Sequence, residues 1–156
     1  MEIYLSLGSN LGDRRNNILA AISGLEFFFS SRPAAVSEIL EFPSWGFDAP
    51  DFLNCVVRFD IPDCGVSAWL YAHALLHEAK RLEAAAGRQA HELYSPYGER
   101  IYHSRTIDID ILYMGNETIK SQELTIPHPL IAQRDFVLVP LRAVSTENLL
   151  IARENR

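Results

Sequence analysis

Apolar residues in this chain recur with a period of two or with helical spacing, in the order strand, helix, strand, strand, helix, strand. That order predicts an α+β fold of the split βαβ or ferredoxin-like kind, βαββαβ, with an antiparallel sheet and helices packed on it. A length of 156 residues, 48% of them hydrophobic and 22% charged, suits a single domain over residues 1–156 whose core stands alone.

The first strand alternates Ile3, Leu5 and Leu7 with Tyr4, Ser6 and Gly8. It breaks at Gly8-Ser9-Asn10-Leu11-Gly12-Asp13, a tight polar turn with Asp13 as candidate N-cap of the first helix. Ile18, Ile22, Leu25 and Phe29 then follow at helical spacing. A glycine-rich turn before a helix can cradle phosphate, but no Gly-Lys-Ser/Thr ends this one, and it reads as structural. A second extended run is expected near Ala34 to Glu41, after Pro33, and a loop from Phe42 to Pro50. The loop's aromatics, Phe42, Trp45 and Phe47, either cap the core or cover a flat ligand.

Phe52 to Ile61 reads as a strand with Leu53, Cys55, Val57 and Phe59 on one face and Phe52, Asn54, Val56 and Arg58 on the other. An aromatic ring and a carboxamide on one face can stack on a heterocycle and read its donor and acceptor edge, although such a pair is more often ordinary surface. A long helix from about Val66 to Ala86 carries Trp69, Ala72, Leu76 and Ala79, and the stripe reaches Glu83 before Gly87 ends it. Arg88 follows, as a helix-end ion pair or as the start of an arginine cluster. Gln89 to Ser104 has no apolar period, and a loop that long in a compact domain is expected to be a mobile lid, with Arg100 and Arg105 at or near its far end.

The strand Arg105-Thr106-Ile107-Asp108-Ile109-Asp110-Ile111-Leu112 is the stretch that carries chemistry. Residues two apart in a strand point the same way, so Asp108 and Asp110 project from one face about 6.5 to 7 Å apart while the isoleucines are buried. Mg²⁺ takes one or two protein carboxylates and completes its shell with water and substrate phosphate oxygens, which suits this pair. A merely solvated strand face is the alternative for an isolated Asp-x-Asp. Beyond a turn at Gly115-Asn116 and a short extended Leu124-Thr125-Ile126, the flanking prolines of Pro127-His128-Pro129 hold the imidazole on a stiff segment, suited to a phosphate contact or to a plain loop. Arg134-Asp135-Phe136 leads into a final apolar run.

A formal net charge of −6 argues against a general nucleic-acid surface and asks for a local arginine cluster to meet any phosphate ligand. The N-terminus lacks a basic region followed by a long apolar run, and no apolar stretch approaches the ~20 residues of a membrane span, so the expected location is cytoplasmic. Cys55 and Cys64 form no C-x-x-C pair, read as structural thiols in a reducing compartment, and imply no zinc site.

Taken together, Gly8 to Asp13, Trp45-Gly46 with Phe52-Leu53-Asn54, Gly87-Arg88, Arg105 to Leu112, and Pro127-His128-Pro129 with Arg134-x-Phe136-Val137-Leu138-x-Pro140-Leu141 resemble the successive motifs of the 6-hydroxymethyl-7,8-dihydropterin pyrophosphokinase family. The resemblance runs from Leu5 to about Leu141. It implies a ferredoxin-like fold and transfer of the β,γ-pyrophosphoryl group of ATP to the pterin hydroxymethyl, releasing AMP, in folate biosynthesis. It further implies that Asp108 and Asp110 hold two Mg²⁺ ions, that Phe52 and Phe136 sandwich the pterin beneath the Trp45-Gly46 loop, and that Asn54 reads its edge. Arg88 and Arg105 would contact the transferred phosphates, while Glu83, Thr125, His128 and Arg134 help to hold ATP. A monomer is expected.

The chain departs from the family pattern at Leu40, Phe42 and Ser44, ahead of Trp45-Gly46, and in the long segment between Arg88 and Arg105, where Tyr102-His103-Ser104 replaces Trp-Gly-Pro and Arg100 is a further candidate for ATP. A non-catalytic ferredoxin-like binding module would explain the sheet and the aromatics but not Asp108, Asp110, Arg88 and Arg105 together. A Mg-dependent kinase acting on another small alcohol is the nearer rival, separated by its product, ADP rather than AMP.

Overall fold

The chain runs through β1 (Glu2–Ser9), α1 (Arg14–Phe29), β2 (Ala35–Val36), β3 (Leu40–Phe42), β4 (Phe52–Asp60), α2 (Ala68–Ala85), β5 (Leu93–Tyr94), β6 (Arg100–Ile101), β7 (Asp108–Met114), β8 (Ile119–Lys120), β9 (Thr125–Ile126) and α3 (Asp135–Val144). A computed structural model describes residues 1–44, 48–63, 65–87, 93–94, 96–98, 100–101, 105–147 and 149, with the backbone alone at 93–94 and 100–101. β1 lies at the centre of the main sheet, paired antiparallel with β4 from Glu2↔Asp60 to Ser9↔Leu53 and with β7 from Ile3↔Met114 to Gly8↔Asp108. β2 and β3 both pair antiparallel with the far edge of β4, giving the order β2 (with β3), β4, β1, β7. The single extended run expected over Ala34 to Glu41 is thus two short strands. Ser37 N–H donates to the Val56 carbonyl at 2.9 Å and Val56 N–H donates to Ser37 Oγ at 2.9 Å, so a side chain takes the place of a ladder acceptor and the pairing breaks.

Period-two patterning sorts the sheet into two buried faces. Ile3, Leu5, Leu7, Cys55, Val57, Phe59, Ile109 and Ile111 meet α1 and α2, which contribute Ile18, Ile22, Leu25, Phe29, Ala72, Leu75 and Ala79. α1 starts as expected at Asp13, whose carboxylate accepts from Asn16 N–H at 3.2 Å. α2 is rotated from the expected stripe: Leu75 and Glu83 are buried with Ala72 and Ala79, while Trp69 is 49% exposed and stacks on His73. The helices touch at Gly24, where any Cβ would collide with the Leu82 side chain.

The opposite face buries Tyr4, Val56 and Leu112 against Ile131, Val137, Leu141 and Val144. These last three belong to α3, a helix absent from the expected element order. Pro140 lies inside it, and a proline in an apolar run is a signal against helix because it removes one backbone hydrogen bond. Packing overrides that signal, since Val137, Pro140, Leu141 and Val144 are all buried at helical spacing.

Candidate active site

The α3-side face of the sheet and the end of α2 converge on the start of β7. Ile107, Ile109 and Ile111 go into the core, which leaves Asp108 and Asp110 on the other side with side chains 20% and 28% exposed. Arg105 Nη1 donates to Asp108 Oδ2 at 2.8 Å from a guanidinium that is 8% exposed. Arg134 Nη1 lies 3.7 Å from Asp110 Oδ2, and His128 Nε2 lies 4.0 Å from Asp110 Oδ1. The His128 loop is tied to β7 by His128 N–H donating to the Leu112 carbonyl at 3.0 Å. His128 Nδ1 accepts from Leu130 N–H at 3.2 Å, so in the neutral ring the proton sits on Nε2, facing Asp110.

These groups line a cavity of about 380 Å³ together with Leu76, Lys80 and Glu83 of α2, Ile109, Glu123 of the β8–β9 hairpin, Pro129 and Leu130. Glu83 is buried and its Oε2 accepts from Ile109 N–H at 3.0 Å, which joins α2 to the outer edge of β7. Lys80, Arg105 and Arg134 thus line one space with the carboxylates of Asp108 and Asp110. Such a space suits a polyanion that brings its own counter-cation. No group of three or more His, Cys, Asp and Glu poised to hold a metal occurs among the described residues. A pair of carboxylates still fits a hard divalent cation that draws its remaining ligands from water and phosphate.

Asn54 is buried on the α3-side face of β4, opposite Gly8 of β1. A Cβ at Gly8 would lie 2.7 Å from Asn54 Oδ1 and 3.5 Å from the Phe52 ring, so glycine there lets the carboxamide sit flat against the sheet. Asn54 Nδ2 is buried with no hydrogen-bond partner among the described residues, which leaves it a donor to be satisfied. Phe52 is half-buried beside it, and Phe136, in the first turn of α3, carries the Arg134 guanidinium 5.4 Å from its ring centre.

Of the expected site residues, Glu83, Arg105, Asp108, Asp110, His128 and Arg134 meet in the one cavity. Thr125 is exposed on β9 and is not part of its lining. Trp45, Gly46 and Arg88 lie outside the described residues, and at Arg100 only the backbone is described. Most of the expected lid at 89–104 also lies outside them. Its described parts are a short antiparallel ribbon, β5 with β6, and a turn at 96–98.

Sequence reasoning missed Asn10, Lys80 and Glu123. Asn10, in the turn read as structural, is 2% exposed. Its N–H donates to the Arg105 carbonyl at 3.0 Å, its Oδ1 accepts from Arg105 N–H at 2.6 Å, and its Nδ2 donates to the Pro50 carbonyl at 3.1 Å. Arg14 grips the next carbonyl, that of Asp51, at 2.9 Å. An amide in a polar turn gives no local sign that it reaches partners 40 and 95 residues away. Lys80 is three residues before Glu83 on one helix face, the only signal it offered.

Comparison with known proteins agrees with the motif resemblance. Over 145 residues the chain is 38% identical to the 2-amino-4-hydroxy-6-hydroxymethyldihydropteridine pyrophosphokinase of Porphyromonas gingivalis, covering 92% of this chain and 90% of that one. Over 140 residues it is 36% identical to the protein of the same name from Aquifex aeolicus, covering 89% and 77%. It is also 37% identical over 145 residues to the mitochondrial folate synthesis bifunctional protein of Pisum sativum, covering 90% of this chain and 24% of that longer one. With residues 4–146 matching the family described as 7,8-dihydro-6-hydroxymethylpterin-pyrophosphokinase (HPPK), the chain belongs to that family.

Proposed function

We propose that the chain transfers the pyrophosphoryl group of ATP to 6-hydroxymethyl-7,8-dihydropterin, giving AMP and the pterin diphosphate, in folate biosynthesis. Family membership over residues 4–146 carries this reading, and the cavity that joins Asp108 and Asp110 to Arg105, His128 and Arg134 supports it. The hydroxymethyl oxygen attacks the β-phosphorus in line with the oxygen that leaves on AMP. Such a transfer asks for positioning and charge neutralisation rather than a protein nucleophile.

Asp108 and Asp110 would hold two Mg²⁺ ions, which when bound neutralise the triphosphate and favour the charge that develops on the leaving oxygen. Arg105, held by Asp108, and Arg88 meet the transferred phosphates. Arg134 and His128 approach Asp110 from the other side and meet the remaining phosphate oxygens, while Glu83 and Thr125 stand toward the nucleoside. Phe52 and Phe136 enclose the pterin with the Trp45-Gly46 loop above. Asn54 suits its edge because a carboxamide offers both a donor and an acceptor, and its Nδ2 lacks a partner among the described residues.

The strand order β2 (with β3), β4, β1, β7, with α1 and α2 on one face, supports the ferredoxin-like reading and one domain over residues 1–156. Among the described residues no helix is long and apolar enough to cross a membrane. The deciding experiment identifies the nucleotide product with ATP, Mg²⁺ and the hydroxymethylpterin: AMP with pterin diphosphate is expected, and ADP, or no turnover by folded protein, overturns the reading.

A further inference from the structure

The cavity has an end that the transfer chemistry does not use. α2 runs along it, with Leu76, Lys80 and Glu83 on one stripe, so Leu76 and Glu83 stand about 10 Å apart at the helical rise. Asp108 and Asp110 mark the phosphate end, and Glu83 stands beside them, its carboxylate taking the N–H of Ile109 between the two. At the other end the β8–β9 hairpin is strapped to the helix: His73 Nε2 lies 3.0 Å from Ser121 Oγ, which accepts from Glu123 N–H at 3.3 Å and from Leu124 N–H at 3.0 Å. The backbone of Glu123 is therefore fixed to α2 through Ser121. Its side chain faces the same cavity as Lys80, and neither side chain has a hydrogen bond or ion pair among the described residues.

With its phosphates at Asp108 and Asp110, a nucleoside triphosphate laid along α2 in this cavity brings its ribose to Lys80 and Glu123. A carboxylate only accepts and a ribose diol has two hydroxyls to donate, the pairing an acidic residue makes with a ribose hydroxyl in dinucleotide sites. An ammonium across from it offsets the added negative charge beside a polyanion and donates to the sugar oxygens. We propose that Glu123, seconded by Lys80, is a specificity-determining residue that selects ribonucleoside over 2′-deoxyribonucleoside triphosphates. The proposal rests on reading the cavity as the ATP site.

The test measures KM for ATP and for 2′-deoxy-ATP, with calorimetric Kd for the same nucleotides, on wild type, Glu123→Ala, Glu123→Gln and Lys80→Ala. Wild type should prefer ATP about tenfold, the scale of one charge-assisted hydrogen bond. Glu123→Ala should bring the two nucleotides within about twofold, with the loss in KM and Kd for ATP and little change for 2′-deoxy-ATP. Glu123→Gln should keep part of the preference, since a carboxamide oxygen still accepts, and Lys80→Ala should weaken both nucleotides. A wild type without preference, or a Glu123→Ala protein that keeps the full preference, overturns the proposal. Failure of the functional reading looks different: wild type would release no AMP whatever its preference in Kd.

Discussion

Replacing Asn10 with alanine tests whether the β1–α1 turn holds the site together. The substitution keeps the backbone bond from residue 10 to the Arg105 carbonyl but removes the side-chain bonds to Arg105 N–H at 2.6 Å and to the Pro50 carbonyl at 3.1 Å. Arg105 is 7% exposed, so its N–H is left without water, at a cost of about 1 to 3 kcal/mol. Pro50 is exposed and its carbonyl can rehydrate, so that loss is only about 0.5 to 1 kcal/mol. The sum, roughly 1.5 to 4 kcal/mol, corresponds to a fall in Tm of about 3 to 15 °C for a chain of this size. Because Arg105 then loses the anchor that aims it at Asp108, kcat/KM should fall at least about tenfold in protein that is still folded at the assay temperature. Asn10→Asp keeps an acceptor for Arg105 N–H but turns a carboxylate toward the Pro50 carbonyl, so it should recover part of the stability and rate that Asn10→Ala loses. Scanning calorimetry beside steady-state rates gives the answer. A Tm within about 2 °C of wild type for Asn10→Ala, or an unchanged kcat/KM, would refute the bracket.

Asp108→Ala and Asp110→Ala should each lower turnover by about a thousandfold or more with only a small change in Tm, because both side chains are part-exposed ligands rather than core; rate and thermal unfolding measured on the same samples check this, and a folded variant with near-normal rate removes the metal assignment. Phe136→Ala should weaken pterin binding by about 1 to 3 kcal/mol and leave ATP affinity nearly unchanged. Separate titrations with each ligand decide it, equal losses placing the ring elsewhere. Burial pushes the Cys55 thiol up to about 12, above its ordinary 9, so the native state keeps a proton that the unfolded chain loses. Stability should therefore be insensitive to this group below pH 9 and fall as pH rises from 9 toward 12, and Cys55→Ala, compared by urea denaturation across that range, should flatten the decline.

How much of this was legible in the sequence follows from the range over which each signal acts. β1, α1 and β7 were readable because their patterns are local and strong: Ile3, Leu5 and Leu7, then Ile18 to Phe29, then the isoleucines around Asp108 and Asp110. The same alternation that buries Ile109 turned the two carboxylates into one space, so the centre of the site came with its strand. α3 was lost to a proline that packing overrides, and the break at Ser37 came from a side chain bonding across to another strand. Trp69 misled because a large apolar side chain suggests burial, whereas small Ala72 and Ala79 let α2 approach the sheet closely. Asn10 owes its setting to bonds with Arg105 and Pro50, far along the chain, and Lys80 and Glu123 come to one cavity only when α2 and the β8–β9 hairpin pack together.

β7 is the last strand of the sheet, and its outward backbone groups would be a template for a passing chain. Two of them are already taken: Ile109 N–H by the Glu83 carboxylate, and the Leu112 carbonyl by His128 N–H. A second strand trying to zip on along β7 finds the ladder blocked at both points, by a buried negative charge and by a proline-flanked loop. The cavity wall is thereby also a guard against edge-to-edge aggregation, and an exchange at Glu83 made to retune nucleotide binding would at the same time free a donor on an open sheet margin.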